Sequence, residues 1–232
     1  MKFCLFQKNN IDLTNVEKHL STFGECITFD ASLNEDAFKD VDMFVSVGGD
    51  GTLLRCAKYT LKYSKPIVGI NAGHLGYLCA FKIDELSTLT KKDFENLKVS
   101  ERTLLEYEGH YAVNDVCVLK SNPSQSITVD VKNVATWKGD GVIFATATGS
   151  SAYNQSAGGP ILNPTSSDIV VTPICPHFSK VGPQVFKDID SFEVEMTSKT
   201  KGLISCDADL IGPIDKKVII KKSKQTLKLM QR

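Results

Sequence analysis

The stretch Met43-Phe44-Val45-Ser46-Val47 is almost unbroken in apolar character, stops abruptly at Gly48-Gly49-Asp50-Gly51-Thr52, and is followed by Leu53, Leu54, Ala57 and Leu61. An apolar run of this kind suits a strand covered on both faces, as in a parallel sheet. The leucines and the alanine after the turn share one side of a helix. A buried strand feeding a helix through a glycine turn is the repeating unit of an open α/β sheet, which leaves few other folds open to this part of the chain. Pro66-Ile67-Val68-Gly69-Ile70 is the next strand, again running into a turn, Asn71-Ala72-Gly73. Upstream, Lys2 to Phe6 and Ile27 to Phe29 read as strands. Val16, Leu20 and Phe23 repeat between them at helical spacing, with Thr14 or Asn15 as caps and Gly24 as terminator.

After about Glu101 the rhythm changes. Short strand-like segments follow at 104–108, 112–119, 127–131, 142–146, 169–172, 192–196, 203–206, 217–220 and 226–229, several alternating apolar with polar. No long helix separates them, which indicates an antiparallel β domain. The expected architecture is therefore α/β + β: an N-terminal open α/β (Rossmann-like) domain over residues 1–100 and a C-terminal antiparallel β domain over residues 101–232.

Composition excludes several classes. Lys+Arg and Asp+Glu balance at 27 each over 232 residues, whereas a chain that lives on duplex nucleic acid carries a basic excess. Nucleic acid is not an expected partner. The seven cysteines (Cys4, Cys26, Cys56, Cys79, Cys117, Cys175, Cys206) are scattered and free of Cys-x-x-Cys spacing. They read as small buried residues in a reducing compartment, not as a disulfide framework or zinc site. The N-terminus turns polar too soon for a signal peptide, and no apolar stretch of about 18 residues occurs. No membrane partner is expected, and the cytoplasm is the expected location.

Glycines at 48, 49 and 51 let the backbone adopt positive φ and bring its N–H groups to a ligand with no Cβ in the way. The helix expected from about Thr52 aims its free N–H groups and the positive end of its dipole at the same point. Gly48, Gly49, Gly51 and Thr52 are thus candidate phosphate-binding residues. Asp50 repels phosphate unless it takes a proton from a hydroxyl or helps hold a magnesium ion; the plainer alternative is a helix N-cap or turn aspartate. Arg55, little more than one helical turn beyond, is a candidate cation for the developing charge. No metal ligand is assigned.

The second constellation is Lys138-Gly139-Asp140-Gly141, followed by the polar, glycine-bearing run from Thr146 to Pro160. Hydroxyls and amides read ribose and base edges, and Tyr153 offers a flat face with a polar tip.

On these residues the sequence resembles the NAD kinase family. Four blocks carry the likeness: Gly48 to Leu54; Asn71-Ala72-Gly73-His74-Leu75-Gly76-Tyr77-Leu78; the pair Asn114-Asp115; and Gly139-Asp140-Gly141 with the 148–160 run. A weaker fifth block is Thr172 to His177. The first block alone is shared with lipid kinases of the diacylglycerol and sphingosine type, and more loosely with phosphofructokinases. The resemblance implies transfer of a phosphate from ATP, or from polyphosphate, to the 2′-hydroxyl of the adenosine ribose of NAD. It also implies a divalent metal, usually magnesium, and a homo-oligomer (dimer or tetramer). It makes Asp50 the catalytic proton acceptor and puts Gly51 against the dinucleotide. Asn114 and Asp115 then contact the adenosine portion, and Lys138, Asp140, Thr148, Ser151, Ala152, Tyr153, Asn154, Gln155 and Ser156 line the dinucleotide. His74 is a further candidate ligand contact; His19, His110 and His177 read as surface or structural. A lipid kinase and a non-catalytic dinucleotide sensor are the alternatives, opposed respectively by the polar 151–156 run and by the intact Asp50 turn. Departures from the family pattern are Asp115 for glutamate, Lys138 for arginine and Asp207-Ala208 for Asp-Gly. Many relatives also continue past Leu229-Met230-Gln231-Arg232 with a tail that returns to the N-terminal domain.

Overall fold

The structure, a computed structural model, describes residues 1–7, 11–30, 35–73, 76–197, 200–214 and 216–232. Two compact units emerge: Met1–Glu101 with Leu227–Arg232, and Arg102–Thr226.

The first unit contains β1 (Lys2–Gln7), α1 (Thr14–Leu20), β2 (Glu25–Thr28), β3 (Met43–Gly48), α2 (Asp50–Tyr63), β4 (Ile67–Asn71), β5 (Phe81–Lys82) and α3 (Lys91–Glu95). Its strands are parallel in the order β2-β1-β3-β4, with β5 also on β4. β3 and β4 are buried along their whole length, as their continuous apolar character requires. Val16, Leu20 and Phe94 join Phe3, Leu5, Val45, Val47, Val68 and Ile70 in one core cluster, so α1 and α3 share a face of the sheet. On the other face α2 buries Leu53, Cys56, Ala57 and Leu61; Tyr63 stacks on Phe44 at 6.3 Å and Leu53 meets the backbone of Gly69. Each large apolar side chain buried this way stabilises by about 1.5–3 kcal/mol. The start of α1 differs from expectation: Leu13 is its N-cap, and Asp12 takes both the amide (2.9 Å) and the hydroxyl of Thr14. The helix ends at Leu20, before Gly24, which instead packs so closely on Met1 and Phe3 that no Cβ fits.

The second unit begins within β6 (Lys98–Tyr107), which forms a hairpin with β7 (His110–Ala112). It continues through β8 (Asp115–Lys120), β9 (Ile127–Val131), β10 (Ala135–Gly139), β11 (Gly141–Thr146), the one-turn α4 (Tyr153–Ser156), β12 (Ile169–Ile174), β13 (Gln184–Phe186), β14 (Ser191–Met196), β15 (Gly202–Cys206), β16 (Asp209–Ile214) and the start of β17 (Lys217–Gln231). An antiparallel six-stranded sheet runs β13-β12-β11-β8-β15-β16, and a second antiparallel set runs β10-β9-β14-β17. Val116, Val118, Phe144 and Val171 of the first meet Val129, Trp137, Phe192, Val194 and Ile220 of the second in one core, as in a two-sheet sandwich. The opposite face of the six-stranded sheet is also apolar: Cys117, Ile143, Ala145, Val170 and Ile174 lie under Ala157 and Leu162. This is why β11 and β12 are buried throughout and do not alternate.

β17 is one fifteen-residue strand where the sequence suggests two, because the exposed residues in its middle separate two buried stretches. Its last residues belong to the first unit: Leu229 pairs with Ile67, Met230 enters the core, and Arg232 bonds Glu85 at 2.9 Å and lies over the Phe81 ring.

The β15–β16 hairpin turns at Asp207 and Ala208, whose φ values are 48° and 67°. Two successive positive φ angles favour glycine in the second place. Alanine there is strained, which explains what the family's Asp-Gly provides. Ala208→Gly should therefore stabilise the protein by about 1 kcal/mol. Urea unfolding at an unchanged m-value checks this; a lower midpoint would contradict it.

Candidate active site

In the first unit, the helix begins at Asp50, two residues earlier than the sequence suggests. Asp50 is thus the first helical residue and not the middle of a free turn. Its carboxylate accepts the amide N–H of Tyr77 at 2.9 Å on one oxygen and that of Leu78 at 3.1 Å on the other. The 48–54 and 71–78 blocks, apart in sequence, are joined there. Gly76 fits this junction because a Cβ on it would lie 3.3 Å from the Asp50 carboxylate and 3.1 Å from the Asn71 amide. Asn71 shapes the loop from below, accepting the N–H of Gly73 at 2.9 Å. His74 lies outside the described residues.

Only Gly48 of the three turn glycines has positive φ, at 153°, and an added Cβ there would lie 2.4 Å from the Thr52 hydroxyl. Gly49 is extended and Gly51 helical, so their value is open space: an added Cβ meets nothing within 4 Å on either. Thr52 is 3% exposed, sits beneath Gly48, and its amide bonds the Gly49 carbonyl at 2.9 Å. The exposed part of the turn is therefore 49–51. Arg55 is exposed one turn along α2.

In the second unit, Asn114 and Asp115 stand at the start of β8. Asp115 is 7% exposed, burial pushes its carboxyl up, and the Cys117 thiol donates to it at 3.2 Å. Asp140 is paired with Lys120 at 2.7 Å, and Lys120 also donates to the Pro123 carbonyl at 2.8 Å. Lys120 was missed by sequence reasoning; the signal is the antiparallel pairing of Gly141 with Leu119, which sets residues 140 and 120 side by side. Lys138 is exposed at the end of β10. Thr148 is buried and its hydroxyl donates to Pro164 O at 3.3 Å.

The 151–156 segment divides by face. Ser151, Tyr153, Gln155 and Ser156 are exposed and Ala152 half-buried. Tyr153 is 43% exposed, and burial pushes its hydroxyl up. Gly149, just before the segment, packs so tightly on Asn114 that a Cβ would lie 2.1 Å from its carbonyl oxygen, which sets the start of the segment beside the Asn114–Asp115 corner. Asn154 points the other way, and here expectation is corrected. It is 0% exposed, donating to Ser150 O at 2.8 Å and Pro160 O at 3.0 Å and accepting the Thr172 hydroxyl at 2.6 Å. It braces the loop onto β12 instead of lining the ligand. Gly159 allows this, since a Cβ on it would lie 2.0 Å from the Asn154 carbonyl oxygen. Among the described residues no group of three His, Cys, Asp or Glu side chains is placed to hold a metal ion.

An α/β unit with an acid-bearing glycine turn at a helix start, followed by a β unit lined with hydroxyls and amides, defines a kinase for a small polar acceptor. The chain matches the family models for the ATP-NAD kinase N-terminal domain over residues 7–96 and the ATP-NAD kinase C-terminal domain over residues 112–231. It is 38% identical over 209 residues to an NAD kinase of Sulfurimonas denitrificans, covering 83% of this chain and 73% of that protein. An NAD kinase of Chlorobium phaeobacteroides is 38% identical over 214 residues, covering 84% and 74%. A crystal structure of an NAD kinase from Archaeoglobus fulgidus in complex with ATP is similar with a TM-score of 0.84 at 27% identity, over 98% of this chain and 92% of that one. Yeast NADH kinase complexed with NADH has the same fold, with a TM-score of 0.84 at 19% identity over 100% and 83%. The chain belongs to the NAD kinase family, and it is an ATP-dependent kinase that makes NADP. These matches lend nothing to the lipid-kinase or sensor alternatives.

Two substitutions separate structural from ligand-facing roles. Gly51→Ala meets open space and improves helix propensity, so it should leave stability unchanged or raise it by up to about 1 kcal/mol, yet raise the KM of a substrate. Equal KM values for mutant and wild type would remove Gly51 from the binding surface. Asn154→Leu strands the Thr172 hydroxyl and two carbonyls, and should cost about 2–4 kcal/mol in denaturant unfolding; a cost below about 1 kcal/mol would contradict the brace.

Proposed function

We propose that this kinase transfers the terminal phosphate of ATP to the 2′-hydroxyl of the adenosine ribose of NAD, with Asp50 at the reacting hydroxyl. The observation that carries the assignment is the position of Asp50: a carboxylate fixed at a helix start between the open glycines 49 and 51. A carboxylate has more lone pairs than the two N–H groups it accepts here, so it can anchor the 76–78 loop and still receive a proton. A ribose hydroxyl is a very weak acid, and such help late in the transfer is worth on the order of 10²–10⁴ in rate. Positioning and charge neutralisation dominate phosphoryl transfer. The first amides of α2 serve the donor phosphates and Arg55 the developing charge. Asn114 and Asp115 hold the adenosine part, and Lys138, Asp140, Thr148, Ser151, Ala152, Tyr153, Gln155 and Ser156 the rest of the dinucleotide.

Magnesium fits as a passenger of ATP: it favours phosphates and water with one or two carboxylates, and the turn offers the single carboxylate of Asp50. It neutralises phosphate charge. A homo-oligomeric assembly (dimer or tetramer), which rests on family likeness, and a cytoplasmic location, which rests on the scattered cysteines, complete the reading. No helix of the described residues is long and apolar enough to cross a membrane.

Incubation of the pure protein with ATP, magnesium and NAD should yield NADP. Absence of NADP with both ATP and polyphosphate as donors would overturn the reading. Asp50→Asn should still bind NAD while losing about 10²–10⁴ in kcat; a near-normal kcat would remove Asp50 from the proton-acceptor role.

A further inference from the structure

The corner between β7 and β8 presents Asn114 and Asp115; on one side β11 runs along it, with Ala145 opposite Asp115, but on the other the β8–β15 ladder ends with Val116 opposite Cys206. All six backbone polar groups of Val113, Asn114 and Asp115 are nevertheless bonded, and four of them go to one residue. Asp207 accepts the Val113 N–H at 2.7 Å on one carboxylate oxygen, and the Asn114 and Asp115 N–H groups at 2.7 and 3.2 Å on the other. Its own N–H donates to the Asp115 carbonyl at 3.0 Å. Thr146 closes the other side: its hydroxyl donates to Val113 O at 2.6 Å and its amide to Asn114 O at 2.9 Å. Gly149 presses on the same corner, where a Cβ would lie 2.1 Å from the Asn114 carbonyl.

We propose that Asp207 is a positioning residue for NAD: its carboxylate fixes the Val113–Asp115 backbone so that the Asn114 and Asp115 side chains are preset for the adenosine ribose. The proposal rests on the NAD-kinase reading of that pair. With the backbone fully bonded, the side chains alone are left to meet a ligand, and their direction is set before it arrives. Preorganisation of this kind lowers the ordering cost of binding. Only a carboxylate meets the need, because it accepts on both oxygens, whereas an asparagine turns a donor towards one of the three N–H groups.

The carboxylate is held at a cost. Burial raises it to about 6, against the opposing pull of the three N–H bonds, and the charge of Asp115 adds to the rise. A folded value above the unfolded 3.8 means that the ionised group lowers stability above pH about 6 and that this loss is recovered as pH falls towards 4. A carboxylate that costs stability in its ionised form and yet accepts three bonds from one corner fits a role in binding. Other titratable groups around it are Asp115 itself, Cys206 and Asp209 beside it in the chain, His110 and Tyr111 on the neighbouring β7, and Cys117, whose thiol donates to Asp115. Protonation of Asp207 turns one oxygen into a donor and releases the corner.

Steady-state kinetics of the full chain with NAD and ATP varied in turn, from pH 5 to 8, test this. Asp207→Asn should raise KM for NAD about tenfold, the effect of losing one charge-assisted bond, with KM for ATP within about twofold of wild type. The wild-type KM for NAD should rise below pH about 6, and Asp115→Asn should keep that rise, moved to lower pH by the loss of the neighbouring charge. A fall in kcat with KM for NAD unchanged marks a merely structural role and overturns the proposal, as does loss of the rise in Asp115→Asn. If Asp207→Asn does not fold, a flat wild-type KM for NAD between pH 5 and 7 overturns it by itself. A wild type that makes no NADP overturns the underlying reading instead.

Discussion

Two backbone N–H groups, from Tyr77 and Leu78, end on the carboxylate of Asp50, and the active half of the first unit hangs on that junction. The parallel sheet delivers Gly48 and Asn71 at the ends of neighbouring strands, the point in an open α/β sheet where ligands bind. Strand ends alone leave two loops with no fixed relation. Asp50 supplies it. An aspartate that looks ill-placed in a phosphate turn becomes intelligible once it stands on the helix start with both oxygens directed at amides. In the proposed function the same group offers its remaining lone pairs to a hydroxyl, so that holding the loop and receiving a proton become two uses of one carboxylate.

The second unit uses the same device with different residues. Its six-stranded sheet is covered on one face by the sandwich core and on the other by the 150–162 loop, so the loop that exposes Ser151, Tyr153 and Gln155 is also part of a core. Asn154 fastens it through three hydrogen bonds, and Asp207 fastens the neighbouring corner. Unpaired polar groups at such depth cost about 1–3 kcal/mol each, so these side chains specify one loop geometry over others. Exposed residues of the site are shaped by buried polar ones beneath them.

The sequence disclosed the strands that burial marks strongly. β3 and β4 read directly because both faces are covered, and β9 and β14 because they alternate. β16 was not legible: Gly212 and Pro213 look like a loop, and they are tolerated because β16 is an edge strand. β10 was hidden because its polar Lys138-Gly139 end reads as part of the ligand turn. Blocks that carry the site were visible by resemblance, but the bonds that order them were not. The partners of Asp50 are backbone amides 27 and 28 residues away, and amides leave no mark in a sequence. Asn154 looked like its polar neighbours; only the one-turn helix Tyr153–Ser156 turns it inward while Tyr153 faces out. Asp207 was noticed for the residue after it, and its reach across more than ninety positions to Val113 has no local signature.

If the Asp50 carboxylate holds the loop, the Tyr77 and Leu78 amides should depend on it individually. Amide hydrogen exchange of the wild type and of Asp50→Asn measures this residue by residue. The account predicts that protection falls by about tenfold or more at Tyr77 and Leu78, while the amides of β3 and β4 exchange as before. Unchanged protection at those two amides would show that the loop stands without Asp50 and would contradict the account.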